Sequence, residues 1–129
     1  MAHAIFAREI ERRNLKDKLT VKSAGLFADS SPMSHGAKSA LSRLGINSFS
    51  HVSVQIDDDI IKNADFILCM TRQHRAYLNT KNAYTLHEFI GTCGDVLDPY
   101  GGDDEVYYET ALVIEELVMK IADKIEESL

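Results

Sequence analysis

Three stretches hold residues whose types and spacing could do chemistry. Residues 69–75 read C-M-T-R-Q-H-R: a thiol, five intervening residues and an arginine. A thiolate beside backbone amides and a guanidinium could attack phosphorus and hold a phosphoryl group. Residues 95–102 read D-V-L-D-P-Y-G-G. Pro99 holds Asp98 on a stiff extended turn, Tyr100 supplies an aromatic wall, and Gly101-Gly102 lets the chain fold back. A carboxyl placed this way can protonate a leaving group if burial keeps it protonated near neutrality. Local residues alone favour a plain Asp-Pro turn before a helix. Asp95 is a second carboxylate nearby, better suited to hydrogen bonding within the loop. The third stretch, Asp57-Asp58-Asp59, lacks the glycine and alternating oxygen ligands of a calcium loop and reads as a solvated helix start. His3, His35, His51, His74 and His87 form no H-x-x-x-H or Cys/His zinc pattern, so no metal and no cofactor is expected. Arg72 and Arg75 read as helix-surface charges.

The elements that must position these groups alternate. Residues 1–13 read as a helix with Ala2, Ile5, Phe6 and Ile10 on one side. Residues 19–24 read as a strand closed by Gly25. Ser30-Ser31-Pro32 offers helix-start chemistry, followed by Ala37, Ala40, Leu41 and Leu44, with Gly45 placed for a left-handed C-terminus. Residues 52–55 suit a short extended piece, and Asp57 caps a helix to about residue 63. The apolar run 66–70 suits a strand covered on both faces. Thr71 caps a helix over 72–79, 83–85 is a weaker strand, and 86–90 is a short helix. After the loop 91–102, Asp103-Asp104 opens a long helix to about residue 127. Its apolar face is Tyr107, Ala111, Ile114, Leu117, Val118, Ile121 and Ile125. This alternation argues a parallel α/β sheet.

The 129 residues suit one domain. A 45% hydrophobic and 26% charged composition is that of an ordinary globular chain. A net charge of −6 argues against nucleic-acid partners. No apolar run reaches the roughly 18–20 residues that span a bilayer, so no membrane partner is expected. Two cysteines make no disulfide framework, and no signal peptide precedes the first helix, so the cytoplasm is the expected compartment. The first helix begins at residue 1 with no capping residue and no strand before it, which leaves its first amides without partners.

The ordered set S-A-G-L at 23–26, L-G-I at 44–46, S-H-V-S-V-Q-I at 50–56, A-D-F-I-L-C-M-T at 64–71 and D-V-L-D-P-Y-G-G at 95–102 resembles the low-molecular-weight protein phosphatases. These include small tyrosine phosphatases and bacterial arginine phosphatases. The resemblance runs over essentially the whole chain. It implies a three-layer, flavodoxin-like parallel sheet of order 2-1-3-4 flanked by helices. In that family a first strand and a C-x-x-x-x-x-R-S loop precede P-M-A-E-A. Here Met1 matches the methionine of that run, and His3 stands where glutamate is usual. The resemblance therefore predicts that residues 1–129 are one N-terminally truncated domain, with strand, nucleophile and phosphate loop upstream. Strands 19–24 and 65–70 would then lie about 9.6 Å apart, two strand spacings. They would pair directly, accept a strand from another chain by self-association, or keep the gap.

Position by position, the resemblance makes Asp98 the general acid, Pro99 the residue fixing its approach, and Tyr100 the wall flanking the substrate side chain. It makes His51 a support behind the phosphate loop. Cys69 matches a strand-end cysteine that the family does not use as nucleophile. Two physical points agree. A phosphate loop favours Gly and small polar residues, and Met70, Gln73 and His74 are poor choices for it. An arginine one turn along helix 72–79 would also not point back over the thiol. The implied function is hydrolysis of phosphotyrosine or phosphoarginine through a phosphocysteine intermediate. Phosphorylated proteins or small phosphate monoesters would be the substrates, and this chain would be inactive without the loop. The alternatives are a non-catalytic pseudophosphatase that binds without turnover, and an arsenate-reductase-like thiol enzyme. The latter is disfavoured by the wide separation of Cys69 and Cys93.

Overall fold

The computed structural model describes residues 1–28, 31–47, 49 and 51–129. Helices α1 (Ala2–Arg12), α2 (His35–Arg43) and α3 (Asp58–Asn63) precede strand β1 (Ile67–Cys69). Then come α4 (Arg72–Leu78), β2 (Ala83–Thr85), α5 (Leu86–Phe89) and the long α6 (Asp104–Glu127). The two strands pair in parallel, Ile67 opposite Ala83 and Cys69 opposite Thr85, with α4 as their crossover.

The core follows from side-chain periodicity. On α6, Ala111, Ile114, Leu117, Val118, Ile121 and Ile125 are all buried, at the three- and four-residue spacing that lines one helix face. That face receives Ala4, Ile5, Phe6 and Ile10 of α1 and Ala40 and Leu41 of α2. Close approach of α2 and α6 needs Gly36: a Cβ there would stand 2.4 Å from Cδ2 of Tyr107. Glu9 of α1 is buried, and the Arg13 guanidinium satisfies it at 2.8 Å. That contact pushes the Arg13 pKa above its ordinary value, against the smaller opposing effect of burial. Arg13 then extends to Asp123 and Glu126 on α6.

Caps set most helix starts. The side chains of Asp57, Thr71 and Asp103 accept the amides of Ile60, His74 and Val106. Each such bond contributes about 1 kcal/mol. Thr85 and Glu88 form a reciprocal capping box on α5. Met1 caps α1 with no side-chain bond. Gly45 takes φ +87° past the end of α2. The cap of α2 is Ser34, whose hydroxyl accepts the Ala37 amide. The sequence pointed to Ser30-Ser31-Pro32 instead, and Ser30 lies outside the described residues.

The sheet is smaller than expected. Residues 19–24 belong to no strand. Their alternation suits an extended backbone, but a strand also needs a partner for its amides and carbonyls. Among the described residues that partner is met only at Gly25. Its amide donates to Val54 O at 2.7 Å, and its carbonyl accepts from Ile56 at 2.9 Å. Leu19 and Val21 still pack, partly buried, against the core. The segment 52–55 also touches Pro32 by a single bridge at Val52. Direct pairing of 19–24 with β1 does not occur. The apolar run 66–70 yields a three-residue strand, and Phe66 at 48% exposure is not covered on both faces. No helix among the described residues is long and apolar enough to cross a membrane.

Candidate functional site

The junction between β1 and α4 separates the thiol of C-M-T-R-Q-H-R from its arginine. Cys69 closes β1 and is buried. Burial raises its pKa, the positive charge of Arg75 opposes the rise and Glu88 adds to it. Thr71 then starts α4, which carries Arg75 into its second turn. There Arg75 Nη1 pairs with the Glu88 carboxylate of α5. Glu88 is also tied to the Thr85 amide at 2.9 Å. That amide, and then Arg75, hold the Glu88 carboxyl below its ordinary range. A protonated buried thiol and an arginine occupied elsewhere do not make a phosphate loop.

Residues 95–102 sit at the same junction; Val96 is buried in the core and the residues beyond it face outward. The Val96 amide donates to Met70 O at 2.8 Å, and Asp95 Oδ1 accepts from the Arg72 amide at 2.9 Å and from Arg72 Nε at 3.3 Å. The amide contact, followed by the guanidinium, keeps the Asp95 carboxyl below its usual range. Beyond this root the chain arches. Leu97 and Tyr100 are 75% and 84% exposed. Asp98 is exposed too, and its Oδ1 accepts the Tyr100 amide at 3.0 Å. The fold does not bury Asp98 here. Pro99 O accepts from Gly102 N at 2.8 Å and closes the arch. Gly101 takes φ +85°, and a Cβ on Gly102 would lie 2.8 Å from Val106 Cγ1. Both glycines are thus required, one by backbone angle and one by space. Asp103 caps α6 immediately afterwards.

His51 belongs to a separate group. Its Nε2 lies 3.3 Å from Ser23 Oγ, and the same hydroxyl lies 2.9 Å from His3 Nδ1 on the first turn of α1. Phe49 stacks on His51 and meets His3 edge-on. Burial, then the neighbouring His51, lowers the His3 pKa. His3 and Ser23 are the residues that motif reading left without a role. Their signal was present in S-A-G-L and in the histidine replacing glutamate, but nothing local ties positions so far apart. Among the described residues no group of three His, Cys, Asp or Glu could hold a metal ion. Two shallow cavities, of about 360 Å³ and 300 Å³, lie along the C-terminal half of α6; neither is lined by Asp98, Tyr100 or His51.

An exposed Asp-Pro-Tyr arch thus stands beside a βαβ junction, and a hydrogen-bonded His3–Ser23–His51 group gathers at the first turn of α1. Residues 1–129 match the family described as low molecular weight phosphotyrosine protein phosphatase, and the chain belongs to it. Among its relatives, a protein-arginine-phosphatase of Bacillus subtilis is 33% identical over 135 residues, covering 98% of this chain and 87% of that one. A crystal structure of a mutant of YwlE from Bacillus subtilis superposes with a TM-score of 0.89 at 33% identity, over 97% of this chain and 88% of that one. A further structure, of a YwlE arginine phosphatase with serine in place of cysteine and that active-site serine phosphorylated, gives a TM-score of 0.88. It is 34% identical, over 97% of this chain and 86% of the other. These likenesses hold although the sheet has two strands among the described residues.

Proposed function

We propose that this domain serves the removal of phosphate from phosphoarginine or phosphotyrosine in proteins. The carrying observation is the 33% identity with a protein-arginine-phosphatase across 98% of the chain. In the proposed reaction a cysteine thiolate forms a P–S bond as the P–N or P–O bond breaks. Asp98 gives its proton to the leaving nitrogen or oxygen. Water then attacks phosphorus, Asp98 takes its proton, the P–S bond breaks and inorganic phosphate departs. The relative that carries phosphate on a serine replacing its cysteine supports a side-chain phosphoryl intermediate. Tyr100 flanks the substrate side chain, Pro99 holds the approach of Asp98, and His51 supports the phosphate site through Ser23. The family order 2-1-3-4 for the sheet and a cytoplasmic site of action are part of the same reading.

Neither cysteine of the 129 residues supplies the nucleophile in this reading. Cys69 is buried with a raised pKa, and Cys93 is followed six residues on by Pro99 where a C-x-x-x-x-x-R loop needs arginine. The 129-residue chain by itself is therefore inactive, and turnover requires a nucleophile loop that these residues do not contain. Purified chain should leave p-nitrophenyl phosphate and a phosphoarginine peptide intact. Robust hydrolysis, above all hydrolysis that survives Cys69→Ser, would overturn this. A second reading, a pseudophosphatase that binds without turnover, is favoured by one observation: the wall residue Tyr100 remains 84% exposed while the thiol is sequestered. The codons preceding Met1 discriminate. An in-frame C-x-x-x-x-x-R-S-P supports the enzyme, and a stop codon supports the binding module. Self-association through segment 19–24, which joins no strand, would show as a concentration-dependent dimer in sedimentation.

A further inference from the structure

We propose that Asp95 is a positioning residue for the acid arch. Its carboxylate clasps the root of residues 97–102 onto the start of α4 and thereby sets where Asp98 stands. This rests on the reading of Asp98 as general acid, but the clasp is defined by geometry of its own.

Asp95 Oδ1 accepts two hydrogen bonds from one residue, the Arg72 amide at 2.9 Å and Arg72 Nε at 3.3 Å. Arg72 is the first residue of α4, so the carboxylate meets one of the helix amides that lack an internal partner. Thr71 satisfies a different amide, that of His74. The two contacts therefore do not duplicate each other. The adjacent Val96 amide donates to Met70 O at 2.8 Å, so residues 95 and 96 are both fixed on the β1–α4 junction. On the other flank, Gly94 takes φ +143°, and a Cβ there would meet the His87 ring at 3.5 Å. His87 Nδ1 is buried without a hydrogen-bond partner, and the nearby ring favours the ionised form of Asp95. The far end of the arch is held separately by Asp103 at the start of α6.

Between these two roots, the described side-chain contact of Asp98 is with its own turn, at the Tyr100 amide. An exposed carboxylate on an arch takes its position from the ends of the arch. At the N-terminal end Val96 is held by its amide and by its side chain in the core, and Asp95 adds the polar side-chain contact to α4. A misplacement of about 1 Å in a reacting group costs roughly a hundredfold in rate, so such a clasp has catalytic consequence without touching substrate.

The test reads backbone amides and the Asp98 carboxyl by NMR in the 129-residue chain and needs no turnover. Asp95→Ala should free the Arg72 amide. It should speed hydrogen exchange at Val96 and Tyr100 about tenfold, as expected for loss of the bonds that hold them. It should also shift the Asp98 carboxyl ¹³C resonance. Asp95→Asn keeps an acceptor oxygen and should return Val96 and Tyr100 most of the way. If Arg72 alone is freed while Tyr100 and Asp98 keep their wild-type signals, Asp95 is only a helix cap and the proposal falls. Should Asp95→Ala unfold, as α6 amides would show, Asp95→Leu, which keeps side-chain volume but has no acceptor, is read at the same positions. Unchanged Tyr100 and Asp98 signals there also overturn it. Failure of the phosphatase reading would show instead in the codons preceding Met1 and would leave these amide signals untouched.

Discussion

Residues 69–75 and 95–102 meet at the junction of β1 and α4, yet they present opposite physical faces. The first has a thiol and an arginine at the spacing of a phosphate loop, but the thiol is buried and the arginine is paired to Glu88. The second has an unremarkable Asp-Pro turn by local criteria, but its root is clasped by Asp95 and its crown, Leu97 to Tyr100, is open to solvent. Spacing along the chain says which groups could meet. The strand-to-helix turn at Thr71 decides that these two do not. A carboxylate on an anchored and exposed arch can reach a substrate, whereas a strand-end thiol in the core cannot.

Substitutions that probe each side of this contrast should differ widely in cost. Ile121→Ala, under the packed side, opens a cavity at a fully buried position and should destabilise by about 2–5 kcal/mol in chemical denaturation. Gly36→Ala forces Tyr107 away and should cost about 1–3 kcal/mol by the same measurement; a neutral result would mean that α2 and α6 pack less closely. Thr85→Ala removes the hydroxyl that caps α5 at the Glu88 amide and should cost about 1 kcal/mol. Leu97→Ala, on the open arch, should stay within about 0.5 kcal/mol of wild type. A large effect there would show that the arch is packed rather than exposed.

The acid limb of stability sharpens the same contrast. Asp95 has a folded pKa below its unfolded value near 3.9, so its stabilising contribution is fully present above about pH 4. It is lost as pH falls through the lower folded value. Asp95→Asn should flatten that limb of a pH–stability curve, and an unchanged limb would deny the clasp its charge.

Much of this was legible from local rules. The caps at Asp57, Thr71 and Asp103, the left-handed Gly45 and the buried face of α6 depend on residues within a turn or two of each other. What escaped local rules needed a partner from far along the chain. Residues 19–24 alternate like a strand, but among the described residues the ladder contact falls at Gly25, just beyond them. The α2 cap fell on Ser34 because the turn geometry chose among several serines. The His3–Ser23–His51 group and the Arg75–Glu88 pair join separate elements, and the exposure of Asp98 is a property of the folded arch. Family motifs supplied the candidates Asp98, Pro99, Tyr100 and His51, but not the bonds that hold them.

Thiol reactivity in the native chain tests the central claim most directly. With limiting iodoacetamide near neutral pH and peptide mass spectrometry, Cys93 should be alkylated readily. Cys69 should lag by about a hundredfold or more, because it reacts only through local opening, and it should catch up in denaturant. Labelling of native Cys69 as fast as Cys93 or faster would contradict the account and return the chemistry to C-M-T-R-Q-H-R.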